Sequence, residues 1–206
     1  MTILLVRHGE TGGNAARVVQ RPDVPLNERG IRQAARLAER LLAHGFAHVL
    51  CSDLVRARMT AEPLRAHPGV VPGVVPGVLP GVVPGVVIEE TPLLQERNFG
   101  DLRGTPYADL TEDPFAPGFA PPNGETVAVF HRRAAQAFAL IAERRRALPG
   151  PLVVVTHGLM CAAIVANHCH APAIAEPFAN AGLTILDPEP PFAARRVNCT
   201  EHLAGL

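Results

Sequence analysis

Two short apolar runs in this chain each end on a histidine followed by glycine, and that pairing constrains the fold more than any other feature. Ile3-Leu4-Leu5-Val6 runs into Arg7-His8-Gly9, and Pro151 to Thr156 runs into His157-Gly158. An uninterrupted apolar run of this length reads as a strand buried on both faces, which is the habit of parallel sheets. In an open parallel α/β sheet, ligands collect beyond the carboxyl ends of the strands. His8 and His157 therefore stand where a binding site would form.

Helical and strand patterns alternate between these two turns. Asn27 is suited to cap a helix whose Ile31, Ala34, Ala35, Ala38, Leu41 and Leu42 recur at helical spacing, with Gly45 as its stop. A strand at 47–51 follows. Ser52-Asp53 then opens a second helix through about Ala66 that Pro63 should bend or cut. A third strand is expected at 86–89. Residues 95–124 are rich in glycine and proline and read as a long irregular excursion, of the kind that often carries function. Beyond them Val127, Phe130, Ala134, Ala137, Phe138 and Ile141 mark one face of a helix over 125–148. A helix through about Cys169 and strands at 183–186 and 194–199 complete the pattern.

The chain has 206 residues, 48% hydrophobic and 18% charged, enough for one well-filled core spanning 1–206 as a single domain. Lysine plus arginine and aspartate plus glutamate number 19 each, so the broad basic field of a nucleic-acid-binding protein is missing. The N-terminal apolar run is too short for a signal peptide, and cytoplasmic localisation is expected. Cys51, Cys161, Cys169 and Cys199 lack the spacing of a disulfide or zinc framework and are expected reduced and mostly buried. From Pro68 to Val87, Pro-Gly-Val-Val repeats five times with Leu79 the single replacement. Proline at every fourth position excludes a membrane helix, and the block reads as a string of turns tolerated in a loop, with a docking role as the alternative.

Six ordered segments carry a more specific signal. They are Leu5-Val6-Arg7-His8-Gly9-Glu10-Thr11 with Asn14; Pro25-Leu26-Asn27-Glu28-Arg29-Gly30; Ser52-Asp53-Leu54-Val55-Arg56-Ala57 with Thr60-Ala61; Leu94-Gln95-Glu96 with Phe99-Gly100; Asn123-Gly124-Glu125-Thr126; and Val155-Thr156-His157-Gly158. Together they resemble the histidine phosphatase superfamily, the phosphoglycerate mutase-like proteins, over nearly the whole chain. The resemblance implies a three-layer α/β/α fold with a mostly parallel central sheet. It also implies a small phosphatase that hydrolyses a small phosphorylated metabolite without metal or other cofactor.

The residue types suit that chemistry. A phosphomonoester carries nearly two negative charges, and Arg7 and Arg56 with one or two histidines offer matching positive charge and planar donors. By resemblance His8 is the nucleophile that forms a phosphohistidine, and Arg7, Arg56, Asn14 and His157 bind the phosphoryl oxygens. Glu96 is the general acid by the same resemblance, and Glu10 orients its neighbours. Each has a plainer alternative: Asn14 as a helix cap, Arg56 as a solvated helix residue, Glu96 as one loop carboxylate among several. His168 and His170 lack helical ligand spacing, so no metal site is expected. Two departures from the family pattern stand out, Asp101-Leu102-Arg103-Gly104 where an aromatic followed by an acidic residue is usual and Leu159 where a second glycine is usual. Other readings are a phosphoglycerate mutase, disfavoured because no extra basic cluster is visible, and an inactive phosphate-binding scaffold. No membrane or nucleic-acid partner is expected, and homodimerisation stays open.

Overall fold

The computed structural model describes residues 2–66, 85–116, 118–174 and 176–206. The repeat therefore lies outside the described residues except for Gly85, Val86 and Val87, and Val87 already belongs to a strand. The elements in chain order are β1 (Ile3–Arg7), α1 (Gly12–Ala15), α2 (Glu28–Leu42), β2 (His48–Ser52), α3 (Val55–Ala66), β3 (Val87–Thr91), α4 (Val127–Ala147), β4 (Leu152–Thr156), α5 (Gly158–His168), β5 (Leu183–Leu186) and β6 (Ala194–Cys199).

The six strands form one sheet in the order β3-β2-β4-β1-β5-β6. The pairs β1–β4, β2–β4 and β2–β3 are parallel, and β5 and β6 add an antiparallel edge. Alternate residues of the central strands feed opposite layers, as the two-residue period of a strand requires. Ile3, Leu5, Leu50, Leu152 and Val154 pack with Phe130, Phe138 and Ile141 of α4 and Met160 and Ile164 of α5. Leu4, Val6, Val49, Val153 and Val155 pack on the other face with Leu37 and Leu41 of α2 and Ala57, Ala61 and Leu64 of α3. The result is three layers, α/β/α. Each fully buried leucine in them contributes roughly 1.5–3 kcal/mol of transfer free energy.

Two local expectations fail. Ile31 is exposed, and α2 buries Gly30, Gln33, Ala34, Leu37, Ala38 and Leu41 instead. Glycine sets that rotation: a Cβ on Gly30 would stand 2.0 Å from the Glu10 carbonyl oxygen, so the first turn of α2 presses against the turn after β1. The other is a cut at Pro63: α3 runs through that residue from Val55 to Ala66, where the described residues stop. Asn27 caps α2 as expected, accepting from the Gly30 N–H, and Gly45 takes φ +63° beyond its end. None of the four cysteines is in a disulfide, and three of them are buried.

Candidate active site

Strand register builds the site. Arg7 of β1 pairs with Thr156 of β4, and Cys51 of β2 pairs with Val155. His8, His157 and Ser52 therefore emerge side by side at the carboxyl edge of three adjacent strands. The two histidine rings have centroids 5.1 Å apart, about one strand spacing. His157 Nε2 lies 2.8 Å from Ser52 Oγ, which also accepts a 3.3 Å bond from the Leu54 N–H at the entry to α3. Ser52 thus serves both as the expected turn residue and as the partner of His157, a role that sequence reading missed.

Several contacts fix His8. Its Nδ1 is 2.7 Å from the Gly9 carbonyl, an acceptor, which leaves Nε2 as the unprotonated nitrogen of a neutral ring. The Gly9 N–H donates to Thr60 Oγ1, and Thr60 in turn donates to the Arg56 carbonyl, tying α3 to the turn. Asn180, just ahead of β5, donates from Nδ2 to the His8 carbonyl and to Asn14 Oδ1. Burial, then the nearby Arg56 and Arg7 charges, hold the His8 pKa well below the usual histidine value. His157 is held down by burial first and then by Arg56, His8 and Arg7. Both rings are neutral at physiological pH.

Arg7, His8, Asn14, Arg56 and Glu96 line one cavity of about 980 Å³, and the buried His157 ring lies beside His8. Arg7 donates to the Phe178 carbonyl, and Arg56 Nη1 donates to the Arg21 carbonyl at 3.1 Å. Burial lowers the Arg7 pKa and brings that of Arg56 down to about 10, which leaves both charged at neutral pH. Arg7 Nε, Arg56 Nε and His157 Nδ1 are buried with no partner among the described residues. Unpartnered buried polar atoms are costly, so three of them near His8 leave room for an anion there.

Thr11, not Asn14, is the N-cap of α1; Asn14 closes the capping box from inside the helix and is also a cavity residue. Its Oδ1 accepts from the Thr11 and Asn180 N–H groups, and its Nδ2 has no partner among the described residues. Glu96 accepts from the Arg97 N–H on one oxygen and from the Leu159 N–H, in the first turn of α5, on the other. Its backbone is held by Arg133, which donates to the carbonyls of Leu93, Gln95 and Glu96 and pairs at 2.6 Å with Glu125. Arg97 donates to the carbonyls of Glu125, Pro114 and Phe119 and so pins the 97–125 excursion. Gly100, at φ +53°, has no room for a side chain, because a Cβ would stand 1.9 Å from the Pro122 carbonyl oxygen. Glu10 reaches away from the cavity to Asn27 and Arg29.

Arg17, Arg103 and Tyr107 also line the cavity, and neither arginine forms a salt bridge among the described residues. No trio of metal-ligating side chains occurs among the described residues, and no helix there is long and apolar enough to cross a membrane.

The sequence profile of the histidine phosphatase superfamily, branch 1, matches residues 3–199. The chain belongs to that superfamily. It is thereby an enzyme of the phosphatase kind. It is 32% identical over 189 residues to the probable phosphoglycerate mutase GpmB of Yersinia pestis, covering 85% of this chain and 78% of that protein. The alpha-ribazole phosphatase of Shigella flexneri superposes with a TM-score of 0.75 at 25% identity, over 96% of this chain and 95% of the other. A mycobacterial glucosyl-3-phosphoglycerate phosphatase solved with VO3 superposes at 0.69 and 27% identity, over 90% and 92%.

Proposed function

We propose that this enzyme hydrolyses a small phosphorylated metabolite through a covalent phosphohistidine on His8. The observation that carries the reading is the set of orphaned donors, Arg7 Nε, Arg56 Nε and His157 Nδ1, gathered about a neutral His8. The Gly9 carbonyl accepts a hydrogen bond from Nδ1–H, which leaves Nε2 unprotonated to attack phosphorus in line as the ester oxygen leaves. With Ser52 Oγ, 2.8 Å away, as the donor to His157 Nε2, the ring proton of His157 sits on Nδ1 and that atom donates to the phosphoryl group. With Arg7, Arg56 and the free Asn14 amide it meets the charge that grows on the equatorial oxygens. Glu96 protonates the departing oxygen. It then takes the proton of the water that attacks the phosphohistidine, returning His8 to its neutral state.

This mechanism uses no metal. Hydrolysis of p-nitrophenyl phosphate should persist in EDTA and be inhibited tightly by orthovanadate, whose five-coordinate geometry matches the transferring phosphoryl group. Loss of activity in EDTA, restored by a divalent ion, would contradict it.

Phosphoglycerate isomerisation is the second reading, favoured by Arg17 and Arg103 at the cavity, a pair of cations separated in sequence and brought together only by the fold. Conversion of 3-phosphoglycerate without phosphate release would select it over hydrolysis.

A further inference from the structure

The helix that begins at the second histidine is apolar on every side. Met160, Cys161, Ala163 and Ile164 of α5 enter the core. Leu159, Ala162 and Ala166, at helical spacing, face the cavity together with Cys169 just past the helix end. An all-round apolar helix is normally covered on all sides. Here the stripe of Leu159, Ala162 and Ala166 borders the cavity, Leu159 and Ala162 being only partly buried against the core, with Ile174 and Phe178 beside it.

Glu96 fixes what belongs there. Its Oε2 accepts the Leu159 N–H at 3.1 Å, so the proton donor stands at the head of the apolar stripe. A general acid must lie within hydrogen-bond reach of the leaving oxygen. The carbon skeleton attached to that oxygen therefore runs along α5. Glu176 is the one charged cavity residue contributed by the described part of 171–178, and its negative charge opposes a second anion on this side. The cavity of about 980 Å³ is at the upper end of the range for ligand pockets, more than a three-carbon ester fills.

Building on the phosphatase reading, we infer that the substrate is the phosphomonoester of an extended apolar alcohol, its hydrocarbon body lying on Leu159, Ala162 and Ala166. From Leu159 to Ala166 the helix advances about 10 Å, the reach of roughly eight carbons.

The test compares kcat/KM for methyl, butyl and octyl phosphate and 3-phosphoglycerate, with trapping of phosphohistidine by alkaline quench as a separate readout. Burial of successive methylenes should raise kcat/KM by roughly threefold each, and octyl over methyl by at least about a hundredfold. Ala166→Glu, at an exposed position that keeps its charge in contact with water, should cut the octyl-to-methyl ratio at least tenfold, and Ala166→Gln should cut it less. A flat series, a ratio insensitive to Ala166→Glu, or a tenfold preference for 3-phosphoglycerate over octyl phosphate would overturn the inference while hydrolysis itself stands. Absence of both phosphate release and phosphohistidine with every ester would overturn the phosphatase reading and this inference together.

Discussion

Ser52 Oγ and His157 Nε2 lie 2.8 Å apart although 105 residues separate them, and both are fully buried. In the proposed mechanism the pair decides which nitrogen of His157 carries the proton toward the phosphoryl group. Ser52→Ala should lower kcat roughly ten- to a hundredfold, less than the roughly 10²–10³-fold expected when a charge-stabilising donor is removed outright. Steady-state kinetics of Ser52→Ala beside His157→Ala checks this ordering. An unaffected kcat in Ser52→Ala would remove Ser52 from the account.

The proposed mechanism gives Glu96 a proton to transfer besides the Leu159 N–H it accepts, and substitution can separate the two. Glu96→Gln keeps an acceptor for the Leu159 N–H but cannot transfer a proton. It should cost about 10²–10⁴-fold on an alkyl phosphate, and far less on p-nitrophenyl phosphate, whose leaving group departs as a stable anion. Glu96→Ala should in addition lose about 1 kcal/mol of stability, the usual cost of removing a helix cap. Equal losses on both substrates in Glu96→Gln would make Glu96 a positioning residue.

Burial depresses the pKa of His8 and His157 in the folded state. Below the ordinary histidine value of about 6.5 the unfolded chain takes up protons that the native rings refuse, so stability is fully present above that pH and declines as pH falls beneath it. Urea unfolding at pH 7.5, 6 and 5 should show the decline, and His157→Asn should flatten it. Unchanged stability over this range would mean that the rings are accessible to protons.

Much of this architecture was legible in the chain because strands buried on both faces must be apolar throughout. Ile3–Val6 and 151–156 needed no tertiary information, and register then put His8 beside His157. Ile31 was misread because periodicity reports spacing but not rotation; the close approach of Gly30 to Glu10 turns α2 by about one residue. Ser52, Asn180 and Arg133 were invisible as site residues, since each acts on a partner far along the chain. Arg17 and Arg103, 86 residues apart, line one cavity only through the fold.

The insertion point of the Pro-Gly-Val-Val repeat yields another prediction. Helix α3 runs back from Ser52 at the carboxyl edge, and β3 begins with Val87 opposite His48, the first residue of β2. The flanks of the repeat thus lie at the sheet edge away from His8. Deleting four of the five units should leave kcat/KM within a factor of two and change stability by only about a kcal/mol, because closure entropy varies slowly with loop length. A collapse of activity or a change of oligomeric state on deletion would assign the repeat a working role.

The central claim is that phosphorus becomes bonded to His8. Rapid acid-free quench of wild-type enzyme and Glu96→Gln with 32P-labelled p-nitrophenyl phosphate, followed by peptide mapping, tests it most directly. The account predicts an acid-labile, base-stable phosphoryl group on His8 in both, accumulating to nearly one per chain in Glu96→Gln, where hydrolysis of the intermediate is slowed, and none in His8→Ala. Turnover with no label on His8, or turnover retained by His8→Ala, would contradict it.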